Sequence, residues 1–140
     1  MTDLTVNIEK IINAPIEKVF DAWLDPAMLT RFILPDPAMP QPEVENDPRA
    51  GGRFTIIMHV GDDKLPHSGS YLVVERPDRL QFTWESAYST DDSVVTLDFT
   101  AIDANTTRVM LTHVKFLHEE ARSDHEGGWG NILDKLGEVV

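Results

Sequence analysis

The sequence predicts an α+β fold, an antiparallel sheet packed against one long C-terminal helix, from three observations. Residues 118–140 place apolar side chains, from Trp129 onward, at the i, i+3, i+4 and i+7 spacing of one helical face. Residues 53–116 alternate apolar and polar side chains with period two and are cut by turn residues. The chain has 140 residues, enough for one core, so we expect a single domain over residues 1–140.

The first predicted elements are a strand and two short helices. Alternation over residues 4–12 predicts a strand that ends at Asn13. Pro15 can begin a helix without losing a hydrogen bond, and an apolar stripe follows it. Asp25 and Pro26 repeat this pattern of cap and proline, which predicts a second short helix.

Prolines mark the next segment, since five of them lie between Ile33 and Arg49 and exclude a regular helix. We expect a loop here, with room for a short edge strand around Glu43–Asn46. Further strands are predicted at residues 53–60, 69–75, 80–85, 95–99 and 109–113, with turns at 61–64, 76–79, 89–92 and 103–105. The strands form a meander, six or seven in all.

Gly127 and Gly128 lie within the predicted C-terminal helix, where glycine lowers helix propensity. We expect them to let the helix backbone come close to the strands or to a ligand. A strongly bent sheet around one long helix leaves a gap between the two, so the architecture also predicts a pocket.

Composition excludes several classes of function. Asp and Glu number 24 against 12 Lys and Arg, a net charge of −12, so we expect neither nucleic acid nor a membrane surface as a partner. Cysteine is absent, which excludes disulfides, thiolate catalysis and cysteine zinc sites and fits a reducing compartment. There is no basic leader before an apolar stretch and no window near the ~18 apolar residues of a membrane span, so we expect a cytoplasmic protein.

Five segments together resemble the START-like superfamily, also called SRPBCC, and within it the domain named after the activator of heat-shock-protein-90 ATPase. They are INAPIEKVFDAWLDPAMLTRF, GGRF, GSYLVVERPDRLQFTW, TRVMLTH and HEGGWGNILDKL, in this order over nearly the whole chain. The resemblance implies the helix-grip fold, a curved antiparallel sheet of six to seven strands wrapped around a long C-terminal helix, with two short helices after the first strand.

The resemblance also implies a range of functions. Members of the superfamily bind lipids, hormones and polyketide-like molecules in the cavity, some act as cyclases or hydrolases, and the eukaryotic namesake stimulates a chaperone. This chain departs from the usual pattern at Phe32, where a second tryptophan is common, and in an extra glycine, Gly128, before Trp129. We expect these changes to alter the shape of the cavity more than the fold.

Aromatic and histidine side chains on the predicted inner faces are the candidate ligand-binding residues. Each aromatic ring alone is also what a packed core needs, but a bent sheet with many large rings leaves a cavity among them. We therefore expect a small hydrophobic or aromatic molecule as the partner. The candidates are Trp23, Phe32, Phe54, Tyr71, Phe82, Trp84, Phe99, His113, His125 and Trp129.

His113, on the apolar side of the last predicted strand, is the candidate for chemistry. An imidazole that faces a cavity can orient a polar ligand or exchange a proton near neutral pH. The alternative is a buried histidine whose nitrogens are satisfied by protein partners. Glu85 and Arg53 are candidate polar anchors, although alternating strand residues of this kind more often face solvent.

A metal site is not expected. His118 and His125 have acidic neighbours, but their seven-residue gap separates them by about 10 Å along a helix, and no HExxH spacing occurs. There is also no GxSxG elbow, phosphate-binding glycine loop or dinucleotide fingerprint. We therefore assign no catalytic residue, no metal and no cofactor.

The function predicted from these observations is non-enzymatic binding of a small hydrophobic ligand in the cavity. One alternative is a cyclase or hydrolase that uses the same cavity, with His113 or Glu85 as proton carrier. Another is a module in which the acidic surface and the proline-rich loop, around residues 36–47, dock a chaperone or another protein. The edge strand beside that loop leaves both a monomer and a homodimer open.

Overall fold

The part of the chain that the structure describes forms seven strands and three helices. The structure is a computed structural model and describes residues 5–34, 38–85, 89–116 and 119–140. The elements are β1 (Thr5–Ile12), α1 (Ile16–Ala22), α2 (Pro26–Phe32), β2 (Glu43–Asn46), β3 (Arg53–Val60), β4 (Asp63–Glu75), β5 (Arg79–Thr83), β6 (Ser89–Asp103), β7 (Thr106–Phe116) and α3 (Glu119–Val139). The strands form one antiparallel sheet in the order β1-β7-β6-β5-β4-β3-β2, which confirms the predicted α+β helix-grip class.

Strand β4 bends the sheet, because its two halves pair with different neighbours. Residues 63–70 pair with β3, whereas the ladder with β5 runs from Tyr71 onward and shifts register just after it. Such a shift is the kind of irregularity that bends a strand. At Gly69 an added Cβ would meet the carbonyl oxygen of Thr83 and would lie 2.7 Å from Cζ of Phe54. Glycine is therefore required at this bend.

Helix α3 lies in the concavity of the sheet and presents the apolar face that its residue spacing predicts. It packs against β1, β7 and α2. Lys10 of β1 and Asp134 of α3 form an ion pair of 2.7 Å at the surface of this contact. The buried residues of the helix are Ala121, Trp129, Ile132, Leu133 and Leu136. No helix in the described ranges is long and apolar enough to cross a membrane.

The two short helices begin where the sequence places them. Asp25 Oδ1 accepts a hydrogen bond of 2.9 Å from the backbone N–H of Ala27, which caps α2, and Pro26 occupies its first turn. Asn46 of β2 holds the connection between the helices, since its side-chain amide donates to the carbonyl of Leu24 at 2.8 Å and to Tyr71 Oη at 3.1 Å.

Two predicted turns are wrong or too long. A turn is predicted at 61–64, but in the structure it consists of residues 61 and 62 only. Strand β4 therefore begins at Asp63 and not, as predicted, at Gly69. Pro66 lies in the half of β4 that pairs with β3 and precedes the ladder with β5, so its missing N–H costs no hydrogen bond to β5. The predicted turn at 89–92 belongs to β6, whose pairing with β7 is irregular between Ser89 and Val94.

The glycines of α3 differ from the expectation of close backbone approach. A Cβ added at Gly127 would meet nothing within 4 Å, so this glycine does not bring the helix onto the strands. Gly128 is partly buried and lies beside a cavity. The close approach predicted for the pair is therefore wrong at Gly127, because that side of the helix faces open space.

Candidate functional site

A cavity of about 170 Å³ lies between α3 and the strands β3 and β4. Two indole rings and two imidazole rings contribute to its walls, and the rest is mostly apolar. Its lining residues are Met58, His67, Trp84, Asp124, His125, Gly128, Trp129 and Ile132. The helix contributes one side of the cavity and the sheet the other, as the helix-grip architecture predicts.

A second and much smaller cavity, of about 20 Å³, shares one wall with the first. That wall is Trp84, which lines both cavities. The lining residues of the smaller cavity are Trp23, Leu29, Ile33, Phe54, Ile56, Tyr71, Phe82 and Trp84. The aromatic interior is therefore divided at Trp84 instead of forming one continuous pocket.

The indole rings that divide the interior are packed on their neighbours. The ring centroid of Trp84 lies 5.0 Å from that of Trp129 and 5.0 Å from that of His67. These separations are typical of favourable contacts between aromatic rings. Trp23 and Trp84 are each 3% exposed, yet their indole Nε1 atoms have no hydrogen-bond partner among the described residues. Unpaired buried donors are rare in proteins and call for an explanation.

His113 is completely buried and both of its ring nitrogens are engaged. The indole Nε1–H of Trp129 donates to His113 Nδ1 at 2.9 Å, so Nδ1 carries a lone pair and the proton of the neutral ring sits on Nε2. That Nε2–H donates to Ser93 Oγ at 2.6 Å. Burial, together with the charge of His125, lowers the pKa of His113 to about 3. The ring is therefore neutral near pH 7, and it cannot act as a base toward Ser93 because Nε2, the nitrogen that faces Ser93, already carries the proton.

The two histidines on the cavity wall are held in a defined orientation. Nδ1 of His67 lies 3.1 Å from the carbonyl oxygen of Leu65, and Nδ1 of His125 lies 2.8 Å from that of Ala121. A carbonyl only accepts, so Nδ1–H donates in both rings and a neutral ring carries its lone pair on Nε2. Burial lowers the pKa of His67, which favours the neutral ring at this wall.

Glu85 and Arg53 pair with each other at the surface. Their side chains approach to 3.0 Å and are 43% and 57% exposed, and neither residue lines the two cavities. The hydrogen bond from Arg53 lowers the pKa of Glu85 below its ordinary value, so this carboxylate is ionised near pH 7. Both side chains lie where alternating strand residues more often do, toward solvent.

Most of the side chains predicted to bind a ligand border one of the two cavities. Those on the larger cavity are Trp84, His125 and Trp129. Those on the smaller cavity are Trp23, Phe54, Tyr71, Phe82 and Trp84. Most of the predicted ligand-binding residues therefore lie near Trp84, in the walls of two separate cavities and not of a single one.

Three predicted residues lie in the packed core outside both linings. Phe32 packs on Trp23, with ring centroids 5.0 Å apart, and Phe99 packs on Phe20 at 5.2 Å. His113 lies behind Trp129, to which it is hydrogen-bonded. His118 lies outside the described residues, and within them no group of three or more His, Asp or Glu side chains is placed to hold a metal ion.

Sequence reasoning missed several residues of the larger cavity, above all Met58, His67 and Asp124. His67 shares the inward face of β4 with Tyr71, as period-two alternation requires, but the predicted strand began too late to include it. Extending the alternation backward from Tyr71 through Pro66 would have found this histidine. No comparable signal marks Asp124, because a helix is expected to show acidic residues to solvent.

Comparison with known proteins identifies relatives of this chain. A model of the family described as Activator of Hsp90 ATPase homolog 1-like protein matches residues 13–140. A protein from Chromobacterium violaceum has the same fold, with 19% identity, coverage of 99% of this chain and 98% of that chain, and a TM-score of 0.83. No curated protein matches by sequence.

Two further solved structures are similar to this chain over most of its length. The AHSA1-like protein from Aeromonas hydrophila is 27% identical, with 96% of this chain and 90% of that chain covered and a TM-score of 0.81. An HSP90 activator from Plasmodium falciparum is 21% identical, with 97% and 95% covered and a TM-score of 0.77. At 21% identity, the similarity to the Plasmodium falciparum protein shows a shared fold only.

Proposed function

This chain belongs to the family of Activator of Hsp90 ATPase homolog 1-like proteins, and from that premise we propose that it binds one small, mostly apolar molecule in the cavity beside α3. The observation that carries the proposal is the size and lining of that cavity. Its volume of about 170 Å³ compares with the roughly 150 Å³ of an engineered apolar cavity that binds benzene. A single aromatic ring, or an apolar group of similar size, fits this space.

The walls of the cavity favour a ring-shaped occupant. Trp84 and Trp129 face a ligand from the sheet side and the helix side, and contacts between aromatic rings contribute about 0.5–1.5 kcal/mol beyond the burial of area. Met58 and Ile132 add flexible and branched apolar surface. Polar groups are few, which is the usual composition of a small-molecule site.

A binding role is supported over the enzymatic alternative that uses His113 or Glu85 by the state of these two proton carriers. His113 has Nδ1 occupied by Trp129 and Nε2 by Ser93, and it lies outside the cavity lining. Glu85 is paired with Arg53 at the surface. Proton transfer to a bound molecule requires hydrogen-bond reach, which neither residue has from this arrangement.

Adjacent glycines of α3 offer a matched test of the cavity. Gly128 lines the cavity, whereas a side chain added at Gly127 meets open space. We predict that Gly128→Leu fills the cavity and abolishes binding of ethylbenzene, a single-ring probe, while Gly127→Leu binds it like the wild type. The change in tryptophan fluorescence on titration measures the binding, because Trp84 and Trp129 are cavity walls.

The two variants control for each other, since both exchange glycine for leucine in the same helix. Circular dichroism and thermal unfolding establish that both are folded before binding is compared. The proposal fails if the wild type does not bind ethylbenzene, or if Gly128→Leu binds it as tightly as Gly127→Leu does.

Contact with a chaperone ATPase is a second candidate function, and the description of the matching family is the observation that favours it. Around the proline-rich loop, Glu43 and Glu45 of β2 line a surface hollow of about 360 Å³. Asp36, at one end of the segment 36–47 that the sequence predicts for docking, lies outside the described residues. A native mass spectrum separates the candidates, because one leaves a small molecule bound and the other a protein.

A further inference from the structure

The side-chain N–H donors of the two indoles in the wall of the larger cavity do not serve a ligand. Nε1 of Trp84 is buried by packing and closed off from solvent, and Nε1 of Trp129 donates to His113 at 2.9 Å. Among the described residues of this lining none is Lys or Arg, and none carries a side-chain hydroxyl or amide. Hydrogen bonding to a bound molecule therefore depends on the other polar side chains of the wall, two imidazoles and one carboxylate.

Both imidazoles of the wall use an N–H group within the protein. Nδ1–H of His67 donates to the carbonyl oxygen of Leu65 at 3.1 Å, and Nδ1–H of His125 donates to that of Ala121 at 2.8 Å. A neutral ring held in this way carries a lone pair on Nε2, which can only accept a hydrogen bond. The larger cavity is therefore lined by acceptors, and a partner for them has to bring the donor.

Nε2 of His67 is the acceptor that is open to a ligand. It makes no hydrogen bond within the described part of the chain, and it is not one of the buried unpaired side-chain atoms there, which are the indole nitrogens of Trp23 and Trp84. His67 shares the inward face of β4 with Tyr71, and Nε2 lies at the end of the ring that is farthest from the strand. This nitrogen therefore faces the space between the sheet and α3, where the ring lines the larger cavity.

The charges around this nitrogen favour a neutral donor. Burial lowers the pKa of His67, and the charge of His125, on the helix side of the cavity, lowers it further, so the surroundings of Nε2 disfavour a positive charge. Asp124 is an exposed residue of the lining, so water solvates its carboxylate and no cation is needed inside the cavity. An anionic group has no donor for Nε2 and is repelled by Asp124.

We propose that the ligand of the larger cavity is a neutral, ring-sized molecule with a hydroxyl group that donates a hydrogen bond to Nε2 of His67. The inference rests on the proposed binding function and makes its ligand class specific. A bound hydroxyl gives His67 a partner in place of water, whereas a hydrocarbon leaves this acceptor without one. The preference for an aromatic alcohol over a hydrocarbon of the same size therefore depends on this one nitrogen.

Three single-ring probes with the same number of non-hydrogen atoms test the ligand class by fluorescence titration at pH 7. Benzyl alcohol carries a neutral donor, benzylammonium a charged one, and ethylbenzene none. We expect benzyl alcohol to bind at least about tenfold more tightly than benzylammonium, because the surroundings of Nε2 disfavour a cation. Tighter binding by benzylammonium overturns the inference, as does a failure of benzyl alcohol to bind where ethylbenzene binds. If ethylbenzene does not bind either, the proposed binding function itself fails.

Two phenylalanine variants locate the acceptor. His67→Phe keeps an aromatic ring against Trp84, whose ring centroid lies 5.0 Å from that of His67, and removes the nitrogen. The preference for benzyl alcohol over ethylbenzene should fall about fivefold to tenfold relative to the wild type, the factor of one net hydrogen bond. His59→Phe is the matched control and should keep the preference, because His59 lines neither cavity and its Nε2 lies 3.3 Å from the carboxylate of Glu43.

The preference is compared between proteins, since the two probes differ in their own hydration. Thermal unfolding establishes that the variants are folded before their affinities are measured. An unchanged preference in His67→Phe, or an equal fall in His59→Phe, overturns the assignment to His67 and leaves the binding function standing.

Imidazole nitrogen signals in long-range ¹H–¹⁵N spectra provide a readout that does not depend on a variant. Nε2 of His67 should give the signal of an unprotonated nitrogen, and a hydrogen bond accepted there moves the signal toward the position of a protonated one. Benzyl alcohol should move the His67 signal in this direction, while ethylbenzene should not, and the His59 signal should stay in place with both probes. A His67 signal that does not respond to bound benzyl alcohol, or a response of His125 alone, overturns the inference.

Discussion

At the scale of single residues, burial determines what His113 can do. The ring is 0% exposed, it accepts from Trp129 and it donates to Ser93. Protonation of Nδ1 would break the bond from the indole and would place a charge in the core, beside the ring of His125 at 5.3 Å. The network therefore orients Trp129, a cavity wall, and is expected to do so over a wide range of pH.

We predict that His113→Gln flattens the dependence of stability on pH. The pKa of His113 is lowered to about 3 in the folded protein, against an ordinary value of 6.5, which we take for the unfolded chain. Below pH 6.5 the unfolded chain gains a proton that the folded chain does not, so stability is lost as the pH falls. The contribution of His113 should lower the free energy of unfolding of the wild type by about 2 kcal/mol between pH 7.5 and pH 5.0. Urea unfolding at both pH values measures it.

The diagnostic quantity is the change in the free energy of unfolding between the two pH values, and not the free energy of unfolding at either pH. His113→Gln also removes the acceptor of Trp129, which lowers stability at every pH. Burial also lowers the pKa of His67, which leaves a smaller dependence of the same sign in the variant. If the wild type and the variant lose the same free energy on acidification, His113 is not the residue responsible.

The sequence predicts the direction in which His113 points, but not its partners. Alternation along β7 places it on the buried face with Val109 and Leu111, as found. Ser93 is 20 residues away and Trp129 is 16 residues away, on elements that meet His113 only in the folded chain. Pairing of this kind depends on tertiary geometry, for which a single sequence has no local signal.

At the scale of elements, the glycines of the helix and of the sheet play opposite roles. Gly127 of α3 faces open space, so its missing side chain lowers helix propensity without a packing contact in return. Gly69 of β4 lies under the ring of Phe54 and against the carbonyl of Thr83. The first glycine is expected to be replaceable by alanine, and the second is not.

We predict that Gly127→Ala raises the free energy of unfolding by about 0.5–1 kcal/mol. Gly69→Ala should lower it by about 1–3 kcal/mol, because the added methyl group forces the sheet and the Phe54 ring apart. Urea unfolding at one pH measures both changes. A stability loss in Gly127→Ala would show that this side of the helix is packed, and an unchanged Gly69→Ala would show that the bend can relax.

The sequence predicts the ends of an element well where local chemistry determines them, and poorly where pairing with a neighbouring strand determines them. Asp25 and Pro26 mark the start of α2 through a cap and a fixed backbone angle, both readable from the sequence. The start of β4 depends on pairing with β3, which carries the strand through Pro66. The start of β6 depends likewise on its irregular pairing with β7.

At the scale of the whole molecule, the sequence predicts a helix gripped by a bent sheet with aromatic side chains between them, and the structure agrees. It does not predict how the remaining space is divided. The position of one ring, Trp84, separates a volume of about 170 Å³ from one of about 20 Å³. Rotamers and small shifts of packed rings set such volumes, and residue periodicity carries no information about them.

Native mass spectrometry of the protein purified gently from its own cells tests most directly the claim that this cavity holds a small ligand. We predict an added small-molecule mass on the folded wild type and on Gly127→Leu, lost on denaturation and missing from Gly128→Leu. The three proteins differ only at the cavity and at the exposed position beside it. A clean unliganded mass for the wild type, or an added mass that persists in Gly128→Leu, would contradict the claim.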